Sequence, residues 1–197
     1  FDNVTESSDF VGDLARAHEV DPRVVLASVE SVDADYETNS RSVHAVLAEA
    51  LRAAGSSTAY DAAAVDRLYV ASVVAHPHVF AQLRLLRRRC DVVLALANNE
   101  AERWDRLKDE QFGHLGLFDV IGSSWRLRHV KPSAEYFASL LDACRCSAAE
   151  AHLLDDNPHV VEGARLFGLT ATLVTGPDAA AAALATVHPV TTAGPRL

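Results

Sequence analysis

The sequence predicts an α/β fold, built on a doubly wound parallel sheet that carries a small α-helical cap. From residue 79 onward, helical and strand-like segments alternate, which is typical of parallel sheets covered by helices. Residues 8–75, in contrast, have a helical pattern throughout and show no strand. Polar residues directly follow the predicted strands, at the sheet edge where open α/β folds bind ligands.

The helices of residues 8–75 have ends that the sequence marks. Asp21 followed by Pro22 is typical of a helix N-cap with proline at the first helical position. Apolar residues recur at helical spacing over 43–51, and Gly55 follows them, as glycine does just past a helix end. A further helix is predicted over residues 60–75.

These patterns divide the chain into two units. Residues 1–7 and 76–197 are predicted to form the α/β core, and residues 8–75 the cap inserted into it. A chain of 197 residues is long enough for one domain of ordinary size plus a small insertion.

Short apolar runs predict the strands of the core. Residues 91–97, DVVLALA, form a continuous run rich in Val and Leu, as in strands buried on both faces of a parallel sheet. The end of a first strand at 1–5 and three later strands are predicted over residues 118–122, 152–154 and 169–174. Asn98 or Asn99 is predicted to cap the helix that follows residues 91–97. Other helices are predicted over residues 79–89, 132–144, 158–167 and 179–187.

Composition narrows the classes of function. The formal net charge of −9 gives no overall basic footprint for nucleic acid, and no run of 18 apolar residues predicts a membrane span. The three cysteines have neither the number of a disulfide framework nor the spacing of a metal site. We therefore expect a cytoplasmic protein, a monomer or homodimer, with no nucleic-acid or membrane partner.

Polar residues at the ends of separate strands are the candidates for a functional site. In open α/β sheets the ligand crevice lies outside the carboxyl ends of the strands, so these segments are expected to converge. They are Asp2, Asn98, Ser123 with Ser124, and Asp155 with Asp156.

Four segments in this order resemble the motifs of the haloacid dehalogenase superfamily of hydrolases. They are FDNVTES from Phe1, LALANN from Leu94, KPSAEYF from Lys131 and HLLDDNPHVVEGARLFG from His152. The helical block after the first of them is similar to that superfamily's helical cap. The resemblance extends over essentially the whole chain and implies a Rossmann-like α/β core.

The resemblance also implies site residues and a reaction. Asp2 is expected to be the nucleophile that forms an aspartyl phosphate, and Lys131 to pair with Asp2 and the phosphate. Asn98 is expected to bind a phosphate oxygen. Asp2, Asp155 and Asp156 are the expected ligands of Mg²⁺, which prefers carboxylate oxygens. The substrate is expected to be a small phosphorylated metabolite.

The sequence departs from the phosphatase pattern at four positions, one of which is Glu6, where a Thr or Val usually stands four residues after the nucleophile. The second acid of the first motif, which protonates the leaving group, is replaced by Val4. Such an acid is worth roughly 10²–10⁴-fold in rate. Ala97 stands where a Ser or Thr usually precedes the Asn of the second motif, and Arg128 where a glycine often precedes the lysine by three residues.

Three hypotheses about function follow. The first is a Mg²⁺-dependent phosphatase whose turnover is weakened by Val4. The second is a catalytically silent relative that binds or regulates a partner, which Val4 and Ala97 favour. The third is a 2-haloacid dehalogenase, which also lacks the second acid but does not need the paired carboxylates Asp155 and Asp156. Fold alone does not choose among them.

Overall fold

A computed structural model describes residues 5–7, 9–89 and 91–187 of the chain. It is an α/β structure in which helices surround short parallel strands, so the predicted fold class is confirmed. Among the described residues, none of the helices has the length and apolar character needed to cross a membrane.

The first part of the structure is helical, apart from one strand at each end. Strand β1 (Thr5–Ser7) comes first, and strand β2 (Val73–Ala75) comes last. Between them are α1 (Phe10–Ala17), α2 (Pro22–Glu30), α3 (Asp33–Glu37), α4 (Val43–Ala53) and α5 (Ala62–Ser72). We call these five helices the helical segment.

Strand β2 corrects the expectation that residues 8–75 contain no strand. Helix α5 ends at Ser72, and the β-branched Val73 and Val74 then adopt extended backbone. They pair with β1 in antiparallel register, with Ser7 opposite Val73 and Thr5 opposite Ala75. The predicted boundaries of core and cap stay a prediction.

The second part alternates helices and strands. Its elements are α6 (Pro77–Arg87), β3 (Ala95–Leu96), α7 (Glu102–Phe112), β4 (Val120–Ile121), α8 (Ser124–Leu127), α9 (Ala134–Cys144), β5 (His152–Asp155), α10 (Pro158–Phe167), β6 (Thr170–Leu173) and α11 (Pro177–Ala185). Two 3-10 turns lie at Leu115–Leu117 and Ala148–Glu150. Strands β3 and β4 pair in parallel, as do β5 and β6.

Strand β3 is much shorter than the apolar run that predicted it. The run covers residues 91–97, but only Ala95 and Leu96 are in the ladder. Asp91 is bonded to Arg89, and Val93 is 55% exposed. The first half of the run therefore crosses the surface instead of entering the sheet.

Three apolar clusters hold these elements together. One joins the helical segment to Ala101, Trp104 and Leu107 at the start and middle of α7. A second packs α9 and α10 on β5 and β6, and a third packs α6 against β3 and α11. The helical segment and the α/β part thus share one cluster through α7.

Candidate functional site

Lys131 lies between the two parallel strand pairs. Its Nζ donates to Oδ2 of Asp155 at 2.6 Å and to the carbonyl oxygen of Ala97 at 3.0 Å. Asp155 is the last residue of β5, and Ala97 directly follows β3. Lysine and carboxylate are both buried, with side chains 6% and 4% exposed. This ion pair therefore connects the carboxyl ends of both strand pairs.

The ammonium of Lys131 has room for one more acceptor. An ammonium group carries three donor hydrogens. Two of them are used by Ala97 and Asp155, and no third acceptor is found among the described residues. A buried cation with a remaining donor can bind an anionic group such as a carboxylate or phosphate oxygen.

Asn99 fixes the backbone of Lys131, a role that the sequence pattern did not predict. Its Oδ1 accepts from the amide N–H of Lys131 at 2.8 Å, and its Nδ2 donates to the carbonyl oxygen of Lys131 at 3.1 Å. Asn98 and Asn99 were predicted as N-cap candidates for α7, and this prediction is wrong, because the N-cap is Ala101. Both amide side chains are used in other contacts.

Asp155 and Asp156 follow one another at the end of β5. Both oxygens of Asp155 have partners, because Oδ2 accepts from Lys131 and Oδ1 accepts from the N–H of Asn157 at 3.0 Å. Asp156 is half-buried beside it. Asn157 is the N-cap of α10 and its side chain accepts from the N–H of His159 at 2.9 Å, as the sequence predicts.

This donor set fits a hard cation such as Mg²⁺ in part. Mg²⁺ is usually held by only one or two carboxylates and keeps several waters. Asp155 and Asp156 both place carboxylates at the end of β5, and each oxygen of Asp155 already accepts one hydrogen bond. Within the described part of the chain, no group of three metal-binding side chains converges. The predicted third ligand, Asp2, lies outside the described residues, as does Val4.

Asn98 is fully buried, with its side chain directed toward α7. Its Nδ2 donates to Oδ1 of Asp105 at 3.2 Å, and its Oδ1 has no hydrogen-bond partner among the described residues. The second hydrogen of Nδ2 is not used by a described residue. The role of Asn98 as a phosphate ligand stays a prediction.

Asp105 is the common hydrogen-bond acceptor of the polar side chains behind this site. Besides Asn98, it accepts from Ser123 Oγ at 2.5 Å and from Trp125 Nε1 at 2.8 Å, and His114 Nε2 lies at 3.4 Å. Burial acts to raise the pKa of Asp105, but the hydrogen bonds from these neighbours outweigh it and lower the pKa to about 2. Asp105 is thus an ionised hub that holds the loops after β3 and β4.

The end of α3 lies on α8, the short helix that follows β4. Ser124 Oγ donates to the carbonyl oxygen of Glu37 at 2.7 Å and accepts from the N–H of Glu100 at 2.9 Å. Arg128 Nη1 donates to the carbonyl oxygens of Thr38 at 2.8 Å and Asn39 at 3.1 Å. The helical segment is therefore attached beside the candidate site.

Solved structures with a similar fold include a haloacid dehalogenase family enzyme and a 2-haloacid dehalogenase. A haloacid dehalogenase family enzyme from Bacteroides thetaiotaomicron aligns with a TM-score of 0.76 at 13% identity, covering 89% of this chain and 90% of that one. Its complex with magnesium and inorganic phosphate aligns with a TM-score of 0.74 at 12% identity, over 89% and 91% of the two chains. L-2-haloacid dehalogenase from Xanthobacter autotrophicus, with chloropropionic acid covalently bound, aligns with a TM-score of 0.64 at 18% identity, over 99% and 82%. No protein-family model and no curated protein matches the sequence.

Proposed function

The chain has the haloacid dehalogenase fold, and on that basis we propose that it is a Mg²⁺-dependent phosphatase. Its substrate would be a small phosphorylated metabolite, hydrolysed through an aspartyl phosphate on Asp2. The observation that carries this proposal is the buried ammonium of Lys131, which joins both strand ends and whose third hydrogen has no acceptor among the described residues. The enzyme from Bacteroides thetaiotaomicron, whose structure holds magnesium and inorganic phosphate, supports this choice of substrate class.

The proposed reaction has two steps. An oxygen of Asp2 attacks phosphorus, the bond from phosphorus to the leaving oxygen breaks, and that oxygen gains a proton to leave as an alcohol. Water then attacks phosphorus, which releases inorganic phosphate and restores Asp2. Lys131 donates to the anion throughout, and its bond to Asp155 keeps the ammonium in place.

Asp156 and Asp2 are the residues that would hold Mg²⁺. Asp155 would be a further ligand through a remaining lone pair, and it also positions Lys131 and the N-terminus of α10. A bound Mg²⁺ would neutralise negative charge between the phosphate and the attacking carboxylate.

The test is hydrolysis of p-nitrophenyl phosphate and of a panel of phosphometabolites, with and without Mg²⁺. We expect turnover that depends on Mg²⁺ and disappears in Asp2→Asn, since the amide cannot attack phosphorus. Asp142→Asn, which changes an exposed aspartate on α9, is the matched control and should retain full activity. A folded wild-type protein that hydrolyses none of these esters would refute the phosphatase proposal.

A second candidate is a 2-haloacid dehalogenase. It is favoured by Val4 and by the likeness to the Xanthobacter enzyme, which covers 99% of this chain. In that case Asp2 would attack carbon instead of phosphorus. Chloride release from 2-chloropropionate without Mg²⁺, in place of phosphate ester hydrolysis, would establish it. Absence of both activities would favour the silent relative.

A further inference from the structure

The proposed phosphatase needs a proton donor that its first motif does not supply. The leaving oxygen of an alkyl or phenyl phosphate must gain a proton as the bond to phosphorus breaks. Val4 has no ionisable group. The donor must then come from another part of the chain that reaches the crevice beside Lys131.

Glu37 is held in a fixed position at this place. Its carbonyl oxygen accepts from the buried Ser124, and the next two carbonyl oxygens accept from Arg128. Asn39 Nδ2 also donates to Oε2 of Glu102 at 2.7 Å. Four hydrogen bonds therefore attach three consecutive residues of the helical segment to the α/β part.

A short chain of contacts leads from Glu37 to Lys131. The backbone N–H of Ser124, whose hydroxyl bonds Glu37, donates to the carbonyl oxygen of Asn98 at 2.9 Å. The preceding carbonyl, that of Ala97, accepts from Lys131 Nζ. The backbone carbonyl of Glu37 is thus linked through Ser124 to Asn98, whose neighbour Ala97 accepts from the ammonium of Lys131.

The carboxyl group of Glu37 is available for proton transfer. It is half-buried and makes no hydrogen bond or ion pair with a described residue. Burial raises the pKa of Glu37 to about 7, helped by the negative charges of Asp33 and Glu100, while the cation of Lys131 acts in the opposite direction. An acid whose pKa lies near neutral pH is suited to both giving and taking a proton.

We propose that Glu37 is the general acid and base of this enzyme, supplied by the helical segment in place of the acid that Val4 lacks. This inference rests on the proposed phosphatase function. In the first step, the carboxyl group of Glu37 gives its proton to the leaving oxygen, which departs as an alcohol with the electron pair of the broken bond. In the second step, the resulting carboxylate takes a proton from the water that attacks phosphorus.

The test compares two substrates of almost the same shape that differ in leaving group. Phenolate is a poor leaving group and needs the proton, whereas p-nitrophenolate leaves readily without it. Single-turnover release of the phenol reports the first step alone. We expect Glu37→Gln to lower this rate by about 10²-fold for phenyl phosphate but only a few-fold for p-nitrophenyl phosphate.

The pH profile separates chemistry from structure. Because Glu37 must be protonated to act in the first step, the wild-type rate with phenyl phosphate should fall as pH rises through about 7. Glu37→Gln should lack this fall. Glu30→Gln removes an exposed carboxylate from the neighbouring helix α2 and should leave both substrates and the profile unchanged.

Failure of this inference can be told from failure of the proposed function. If the wild-type protein hydrolyses both esters, but Glu37→Gln slows both equally or keeps the alkaline fall, Glu37 is not the acid while the phosphatase proposal stands. If the folded wild-type protein hydrolyses neither ester, both proposals are refuted.

Discussion

Asp105 shows how a single buried charge organises the site from behind. It is fully buried, and its oxygens are contacted by the side chains that follow β3 and β4, Asn98 and Ser123, together with Trp125 and His114. A buried carboxylate without such donors would cost several kcal/mol, so it stays ionised only while they are in place. The positions of the two loops are therefore coupled through one carboxylate.

We expect Asp105→Asn to destabilise the protein by on the order of 3 kcal/mol, because the amide presents hydrogens to neighbours that are themselves donors. Urea unfolding at neutral pH measures the loss. Since the pKa of Asp105 is lowered to about 2, its stabilisation is present above its ordinary pKa of 3.8 and is lost as pH falls toward 2. The wild-type protein should lose this increment in acid, and the variant should not.

The matched control for Asp105 is Glu110→Gln on the exposed face of the same helix, which should change the free energy of unfolding by less than about 0.5 kcal/mol. An equal loss of unfolding free energy in the two variants would show that the hydrogen bonds to Asp105 do not stabilise the protein more than an exposed carboxylate does.

Some site residues were predictable from the sequence and others were not. Asp155 stands at a strand end and Lys131 begins a recognisable motif, and the structure brings the two together. Asn99, Asp105 and Glu37 lie where composition gives no signal, because acidic and amide residues in and beside helices are usually solvated. Their importance comes from contacts with residues that are distant in sequence, which local patterns do not contain.

At the scale of elements, the connection between α3 and α8 depends on an unusual backbone conformation. Arg128 follows α8 with φ 62° and ψ 20°, in the left-handed region that favours glycine. A glycine at this position would adopt it without strain. Here the arginine side chain gives two hydrogen bonds to Thr38 and Asn39 in exchange.

Two substitutions at this position separate backbone strain from side-chain bonding. Arg128→Ala and Arg128→Gly both remove the bonds to Thr38 and Asn39, but only glycine removes the strain. We expect the glycine variant to be more stable than the alanine variant by about 1 kcal/mol in urea unfolding. Amide hydrogen exchange around residues 37–39 should be faster than wild type in both. Identical stability of the two variants would show that the left-handed backbone costs little here.

The lengths of the elements were predicted less well than their order. The order of helices and strands after residue 79 follows from the spacing of apolar residues and from capping residues at helix ends, both of which are local in sequence. Strand ends depend on which residues find a partner strand, and Val93 finds none while Val73 does. Pairing of this kind joins segments far apart in the chain.

At the scale of the whole molecule, Trp104 unites the helical segment with the α/β part. Its ring stacks on Tyr69 at 4.2 Å between centroids and meets Phe10 and His44 edge to face at 5.6 Å. Trp104 belongs to α7, whereas its three aromatic neighbours belong to the helical segment. Aromatic contacts of this kind contribute beyond the area that they bury.

We expect Trp104→Ala to lower the free energy of unfolding by about 3–5 kcal/mol, because a large ring is removed from a shared core. Unfolding followed by circular dichroism should stay a single transition, since both parts of the molecule lose the same contacts. Leu166→Ala, at a side chain that is 84% exposed, should change stability by less than about 0.5 kcal/mol. A loss below about 1 kcal/mol in Trp104→Ala would mean that the two parts do not depend on a common core.

The pairing of β1 with β2 brings together the two ends of the five-helix segment, which is therefore an insertion that starts and ends at one place. Because Ser7 and Val73 face each other, the backbone leaves and returns at one point. A helical segment inserted in this way can be lengthened, shortened or exchanged without moving β1 or β2. Its surface over Trp104 must be kept, together with Glu37 and the hydrogen bonds from Ser124 and Arg128 that hold residues 37–39. Substrate preference can therefore diverge by changes in the helical segment while the parallel strands and Lys131 stay unchanged.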